Sequence, residues 1–196
     1  MSTRSAGRPR TSSRALIEDA AAELFLENTY GATTIDQIAQ RAGVSRNTFF
    51  NYFAAKSDLL WVELDAAIDR LEAELRSVAP DADALPALRA TILGAVADIG
   101  VDRVPLALTQ EDVMGTREET RSSGLTRYAR RADVIAAFLG RQQTRGVGDS
   151  PADDLAVLAK ANAVSGAISA AWTVWARAGV QRHPLSEYVA RALDAV

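Results

Sequence analysis

Cysteine is absent from the 196 residues, so a disulfide scaffold, a thiolate metal site and thiol catalysis are all excluded. Histidine occurs once, as His183, in a Gly179–Pro184 linker that reads as surface, so no histidine cluster is available for a metal or for acid–base work. No apolar run approaches the ~18 residues that span a bilayer, and the Ser/Arg-rich start, Met1–Arg14, lacks the apolar core of a secretory signal. These absences point to a cytoplasmic protein with no membrane partner. Val, Ile and Thr nowhere alternate with polar residues over a strand-length stretch, and no internal repeat is evident. No cofactor and no metal ion are expected.

What remains is Ala, Leu, Arg and Glu at helical spacing, and the chain reads as all-α. Hydrophobic residues make up 48%, enough for a sizeable core. Net charge is −3, but it is unevenly placed. Residues 1–56 carry Arg4, Arg8, Arg10, Arg14, Arg41, Arg46 and Lys56 against Glu18, Asp19, Glu23, Glu27 and Asp36, a net +2 that leaves −5 for the rest. A basic head on an acidic body suggests that only the head meets phosphate; an offset of this size also arises by scatter.

Residues 1–12 form a Gly/Pro/Arg/Ser arm. The stripe Ile17, Ala20, Ala21, Leu24, Phe25 predicts a first helix over Arg14–Asn28, stopped by Gly31. A second, Ile35–Ala42, follows an approximate capping box of Thr33 with Asp36, has Ile35, Ile38, Ala39 and Ala42 inward, and ends at Gly43. Ser45 caps a short third helix to about Tyr52. Helix, glycine-containing turn and capped helix make a helix-turn-helix pattern. Ser57 is placed to cap a long fourth helix over Asp58–Val78, and further helices are expected after Pro80 to Ile99, over 106–114, Glu118–Thr144, 151–178 and Leu185–Ala195, with Gly146–Asp149 as a loop and Ser150 as an N-cap.

The chemistry sits in Val44–Phe53. With Val44, Phe49 and Phe53 turned inward, Arg46, Asn47, Phe50 and Asn51 share the opposite face. Arg bonds guanine and Asn bonds adenine in pairs, and the first residues of a recognition helix are the ones that reach base edges. Lys56 is placed to neutralise a phosphate. A solvated face with ordinary polar residues is the other reading of the same positions.

The stretch from Thr33-Thr34-Ile35-Asp36-Gln37-Ile38-Ala39 through Gly43-Val44-Ser45 to Phe49-Phe50-Asn51-Tyr52-Phe53 and Lys56-Ser57-Asp58-Leu59-Leu60 resembles the TetR family signature. The preceding Ala21-Glu23-Leu24-Phe25 and Tyr30-Gly31 match as well, so the resemblance covers about residues 10–60. It implies a DNA-binding domain at 1–56, a helical effector-binding and dimerisation domain at 57–196, and a dimeric repressor on a palindromic double-stranded operator. It also implies roles: Arg46, Asn47, Thr48 and Phe50 in the groove, beside the cap Ser45; Tyr52 and Lys56 on phosphate; Thr34 on backbone. Asn51 stands where the family varies, and Phe50 replaces the more usual Tyr.

The resemblance further implies a small-molecule effector. Trp61, Tyr128, Phe138, Trp172 and Trp175 are candidates to line an apolar pocket, with plain core packing as the alternative; Trp61, Tyr128, Trp172 and Trp175 are taken as the ligand set. The small residues Ala159, Ala161, Ala163, Ser165, Gly166, Ala167, Ser169 and Ala170 suggest a dimer interface or a tightly packed internal helix. More loosely, the recognition segment taken with Trp61 is similar to the regulators of mycofactocin gene clusters, a subgroup associated with acyl-CoA-type effectors. Arg127, Arg130 and Arg131 are then candidates for phosphate, or a solvated helix face.

Two other functions stay open. Gly146-Val147-Gly148 lacks the third glycine and the preceding strand of a nucleotide fingerprint, and Asp153-Asp154 reads as dipole complement, so an enzyme has little support. A non-specific architectural DNA protein would call for a basic body.

Overall fold

The computed structural model describes residues 13–101, 109–143 and 151–196. Among these the regular elements are all helical. The loop expected at Gly146–Asp149, the Ser150 cap and the start of the 106–114 helix lie outside the described residues.

Helix α1 (Ser13–Ala32) buries Ile17, Ala20, Ala21, Leu24 and Phe25, the stripe its spacing requires. It is interrupted at Thr29, not at Gly31: Thr29 takes φ 67° and ψ 162°, a backbone region that only glycine visits cheaply, at a cost of order 1–3 kcal/mol. The surroundings impose it. Tyr30 is buried with its ring 5.1 Å from Phe25, and the Thr33 hydroxyl donates to the Thr29 carbonyl at 2.8 Å.

Helix α2 (Ile35–Arg41) starts at Ile35 as expected, but its cap lies one residue later than the expected Thr33. Thr34 is the N-cap: its hydroxyl accepts from the Gln37 amide, and Gln37 Oε1 accepts from the Thr34 amide at 2.8 Å. Thr33 is instead buried, its hydroxyl spent on the Thr29 and Leu24 carbonyls. Ile38 and Ala39 are buried, while Ile35 and Ala42 are only half-buried. Gly43 ends the helix at φ +67°. Helix α3 (Arg46–Phe50) is capped by Ser45, whose Oγ accepts from the Thr48 amide at 3.0 Å. It buries Phe49, and Phe53 beyond it packs on that ring at 5.6 Å.

The link to the body differs from the expected continuous helix. Residues Lys56–Leu60 form a tight 3-10 turn, Trp61 breaks the path at φ −122°, and α4 runs Val62–Ser77. Ser57 is buried and caps nothing; the turn is fixed by Asp58, whose Oδ2 accepts from the Ala55 amide at 2.9 Å. Beyond it lie α5 (Ala84–Ala97), a short α6 (Glu111–Met114), two 27-residue helices α7 (Arg117–Gln143) and α8 (Pro151–Arg177), and α9 (Leu185–Leu193). The helix ends match the expected ones to within two residues where both are described, apart from the end of α1 and the start of α4.

One core joins head and body. Leu71 and Leu75 of α4, Ile92 of α5, Ile135 and Phe138 of α7, Ile168 and Trp175 of α8, and Val189 of α9 are all within 4% of full burial. Each contributes roughly 1.5–3 kcal/mol by leaving water. Leu125 of α7 is 67% exposed, while Arg127 and Arg131 of the same helix are buried.

Helix α8 corrects another expectation. Its Ala and Val content gives an 18-residue window a mean hydropathy of 1.3, long and apolar enough to cross a membrane by length and composition. No single apolar run revealed this, because the small apolar residues are interspersed with Asn162, Ser165 and Lys160. One side of α8 packs on α7 and α9. The other leaves Leu155, Leu158, Ala159, Ala163, Ala170 and Val174 exposed, with Gly166 half-buried and nothing within 4 Å of where its Cβ would stand.

Candidate nucleic-acid interface and effector cavity

The head presents the third helix outward. Arg46, Asn47, Phe50, Asn51 and Tyr52 are exposed, Phe50 by 44% and Tyr52 by 43%. Phe50 is held edge-on by Phe49 at 5.5 Å. The Arg46 guanidinium lies 5.3 Å over the Phe50 ring and pairs with Asp36 of α2 at 2.6 Å. Both partners are exposed, so the pair is worth at most about 1 kcal/mol and is readily exchanged for a base or phosphate. Thr34 and Ser45 are exposed caps, and Thr48 is half-buried with its hydroxyl 2.8 Å from Ser45 Oγ.

Lys56 is more internal than its expected phosphate role suggests. Its Nζ donates to the Tyr30 carbonyl at 2.8 Å and the Thr33 carbonyl at 2.7 Å, and sits 4.0 Å over the Tyr30 ring. Burial pulls its pKa below the usual lysine value. The ammonium ties the strained end of α1 to the start of the body. Arg41 clamps α2 to α1 through Glu23 and Glu27, which holds the Glu27 carboxyl below its usual range through the hydrogen bond from Arg41.

The body holds a cavity of about 580 Å³ between α7, α8 and the Trp61 corner. Trp61, Tyr128 and Trp172 line it, as expected; Trp175 does not. It is fully buried and donates to the His183 carbonyl at 2.9 Å, so it is core, 5.2 Å from Trp172. Trp61 lies against Gly124, where a Cβ would stand 3.4 Å from the ring, and donates from Nε1 to Ser123 Oγ at 2.8 Å. Tyr128 donates to Asn162 Oδ1 at 3.0 Å.

Sequence reasoning treated Arg127 and Arg131 only as side candidates, yet both are buried in the wall. Arg127 grips Asp65 of α4 at 2.9 and 2.7 Å and Asp58 of the 3-10 turn at 3.0 Å, with its guanidinium 5.4 Å over Trp61. Burial pushes the Asp65 carboxyl above its ordinary pKa, and Arg127 only partly offsets this. Arg130, by contrast, is exposed and pairs with Asp69 and Glu72. The missed signal was spacing: Thr120, Gly124, Arg127 and Arg131 follow one another on one face of α7.

A three-helix head with a capped, outward recognition helix on an all-helical body defines a helix-turn-helix transcription regulator. Residues 17–61 match the model for bacterial regulatory proteins, tetR family. The chain is 28% identical over 136 residues to a candidate mycofactocin biosynthesis transcriptional regulator, MftR of Mycobacterium tuberculosis, covering 69% of this chain and 68% of that one. It is 29% identical over 182 residues to the transcriptional regulator TcmR of Streptomyces glaucescens, covering 90% and 79%. Its fold is similar to that of Thermus thermophilus FadR, a TetR family transcriptional repressor solved with lauroyl-CoA, with a TM-score of 0.55 and 24% identity over 92% of this chain and 91% of that one. Residues 17–61 thus carry a DNA-binding domain of the tetR type, and the rest of the chain is similar in fold to regulators that share it. Its relatives are DNA-binding regulators, not enzymes.

Proposed function

We propose that this regulator is a repressor that binds a palindromic operator as a homodimer and leaves it when a small, largely apolar molecule enters the cavity. We place the division between head and body at residues 1–56 and 57–196. The observation that carries the reading is the position of Trp61. It walls the cavity, and it is also the break between the 3-10 turn that follows the head and α4. A ligand pressing on Trp61 moves the corner that sets the angle of the head. FadR of Thermus thermophilus, of similar fold, holds lauroyl-CoA; an acyl-CoA-like effector is the first candidate here.

In the groove, Arg46 and Asn47 read base edges, Thr48, Phe50 and Asn51 flank them, and Tyr52 and Thr34 meet backbone. Lys56 keeps one N–H for phosphate after its two internal bonds. Arg46→Ala is expected to lose ~1–3 kcal/mol of operator affinity, about 5- to 150-fold, and to relax specificity at one position per half-site. Footprinting on operator variants checks this, and unchanged affinity removes Arg46 from the groove.

The switch is tested by reciprocity. An inducer weakens DNA binding by the same factor as DNA weakens inducer binding, typically ~5–150-fold. Trp61 and Trp172 fluorescence reads ligand binding with and without operator. An acyl-CoA that binds equally in both states is not the inducer, and if no effector shifts operator affinity the body is a dimerisation platform only.

A further inference from the structure

Among the described residues, the cavity wall contains a cation with no counter-ion. Arg131 is 4% exposed, so its charge has left water almost completely. Its neighbours are neutral: Nε donates to Ser165 Oγ at 3.1 Å, and Nη2 donates to the Ser165 carbonyl at 2.9 Å and to Ser169 Oγ at 2.5 Å. Nη1 donates to nothing among the described residues, and no carboxylate pairs with the side chain among them. A guanidinium held this way is costly, and proteins usually pair such a charge. Next to it stands a second unsatisfied group. Trp172 lines the same cavity, is 7% exposed, and its Nε1 is buried without a hydrogen-bond partner among the described residues. Further out, Arg121 and Arg177 line the cavity and make no ion pair among the described residues. Against these, Glu111 is the one carboxylate in the lining among the described residues, and it already accepts from the Thr120 hydroxyl at 3.0 Å. Arg117 and Arg127 also line it but are already paired with Asp112 and with Asp58 and Asp65, and its apolar surface comes from Trp61, Leu64, Leu125 and Ala176.

We propose that the effector is an amphipathic anion, with a carboxylate or phosphate oxygen seated on Arg131 and an apolar body along Trp61, Leu64 and Trp172. This rests on the sensor reading above and narrows its ligand class. The cavity volume suits a molecule of drug size. The same arrangement rejects cationic amphiphiles, because a second positive charge beside Arg131 would meet repulsion in a medium of low polarity.

The test uses the full-length protein and four matched probes: laurate, dodecyl phosphate, dodecanol and dodecyltrimethylammonium, titrated against tryptophan fluorescence at micromolar concentration. The two anions are expected to bind about tenfold or more tighter than the alcohol, the size of a charge-assisted hydrogen bond, with the ammonium weakest. The preference is expected to persist from about pH 6.5 to 8.5, since burial lowers the Arg131 pKa only to about 10. Arg131→Gln is expected to abolish the preference for anions while leaving the dodecanol affinity unchanged. The head-group comparison on the wild type decides the matter even if that variant fails to fold. Equal binding of alcohol and anion, tightest binding of the ammonium, no binding of any probe, or a folded Arg131→Gln that keeps the anion preference each overturns the assignment. Lauroyl-CoA separates the two sources: tighter binding than laurate, lost in Arg131→Gln, points to a nucleotide-borne phosphate, and weaker binding points to a free carboxylate. Operator affinity is read in the same solutions. Anion binding that leaves operator affinity untouched overturns the sensor reading but not the anion site.

Discussion

Gly166→Arg is expected to turn the regulator into a folded monomer with at least about 100-fold weaker operator binding. The ground for this lies in α8. Its outer side carries Leu155, Leu158, Ala159, Ala163, Ala170 and Val174 to solvent, around a Gly166 that has open space where a Cβ would be. Contiguous apolar surface of this extent marks an interaction site. Its small residues fit a close approach by the same helix of a second copy about a two-fold axis. An arginine at its centre brings bulk and an unpaired charge into that contact. The substitution touches no group within the single chain, so the fold is retained. Operator binding falls because two half-sites are then engaged one at a time and the gain from linking them is lost. Light scattering and operator titration check both halves. A monomeric wild type, or a Gly166→Arg variant that remains dimeric, removes α8 from the interface.

The second large effect is expected at Arg127. Arg127→Ala strands the carboxylates of Asp58 and Asp65, each with 26% of its side chain exposed, beside one another with no cation between them. Breaking a buried charge pair costs about 3–5 kcal/mol, and the partial exposure here brings the expected loss toward ~2–3 kcal/mol at neutral pH. The sign of the pH dependence follows from Asp65. Its folded pKa already lies above the unfolded value because burial dominates, so protonation favours the folded state. That advantage is complete below the unfolded pKa and is lost as pH rises through the folded one. Without Arg127 the folded pKa rises further. The deficit of the variant is therefore largest at pH 8 and shrinks toward pH 5. Urea denaturation at the two pH values measures it, and a deficit that grows on acidification contradicts this account. The same variant is expected to loosen the effector's hold on the operator, because Arg127 joins the cavity wall to the turn that carries Asp58.

Much of the architecture was legible from spacing and capping chemistry. The stripe in α1, the glycine after α2 and the Ser45 cap each follow from a rule that acts within one or two turns. The departures come from tertiary contacts that no local rule reports. Thr33 satisfies capping grammar as well as Thr34 does, but the pocket under Leu24 and Thr29 takes it into the interior and shifts the cap by one residue. Ser57 looks like the start of a helix, yet Asp58 holds a 3-10 turn there and Trp61 is drawn aside onto Gly124. The outward face of α3 was readable because it is defined by exposure on one short helix. The cavity was only partly so. An aromatic that lines space and one that fills a core have the same periodicity, which is why Trp172 and Trp175 separate only in three dimensions. Buried arginines run against composition-based expectation altogether, since charge normally marks a surface.

The path from the recognition helix to the body has a mechanical consequence. From Val44 to Ala79 the chain contains neither glycine nor proline. Lys56 locks the head end of this stretch to α1 through two carbonyls, and Arg127 locks the far side of the 3-10 turn to α7. The link is thus a strut without a swivel. On the proposed sensor reading, motion at the cavity has little slack to be absorbed in, and it is expected to reach α3 as a rigid rotation about packed side chains rather than as bending of the backbone. A switch built this way would trade range for gain: small displacements would suffice, because the spacing of two major grooves tolerates little error.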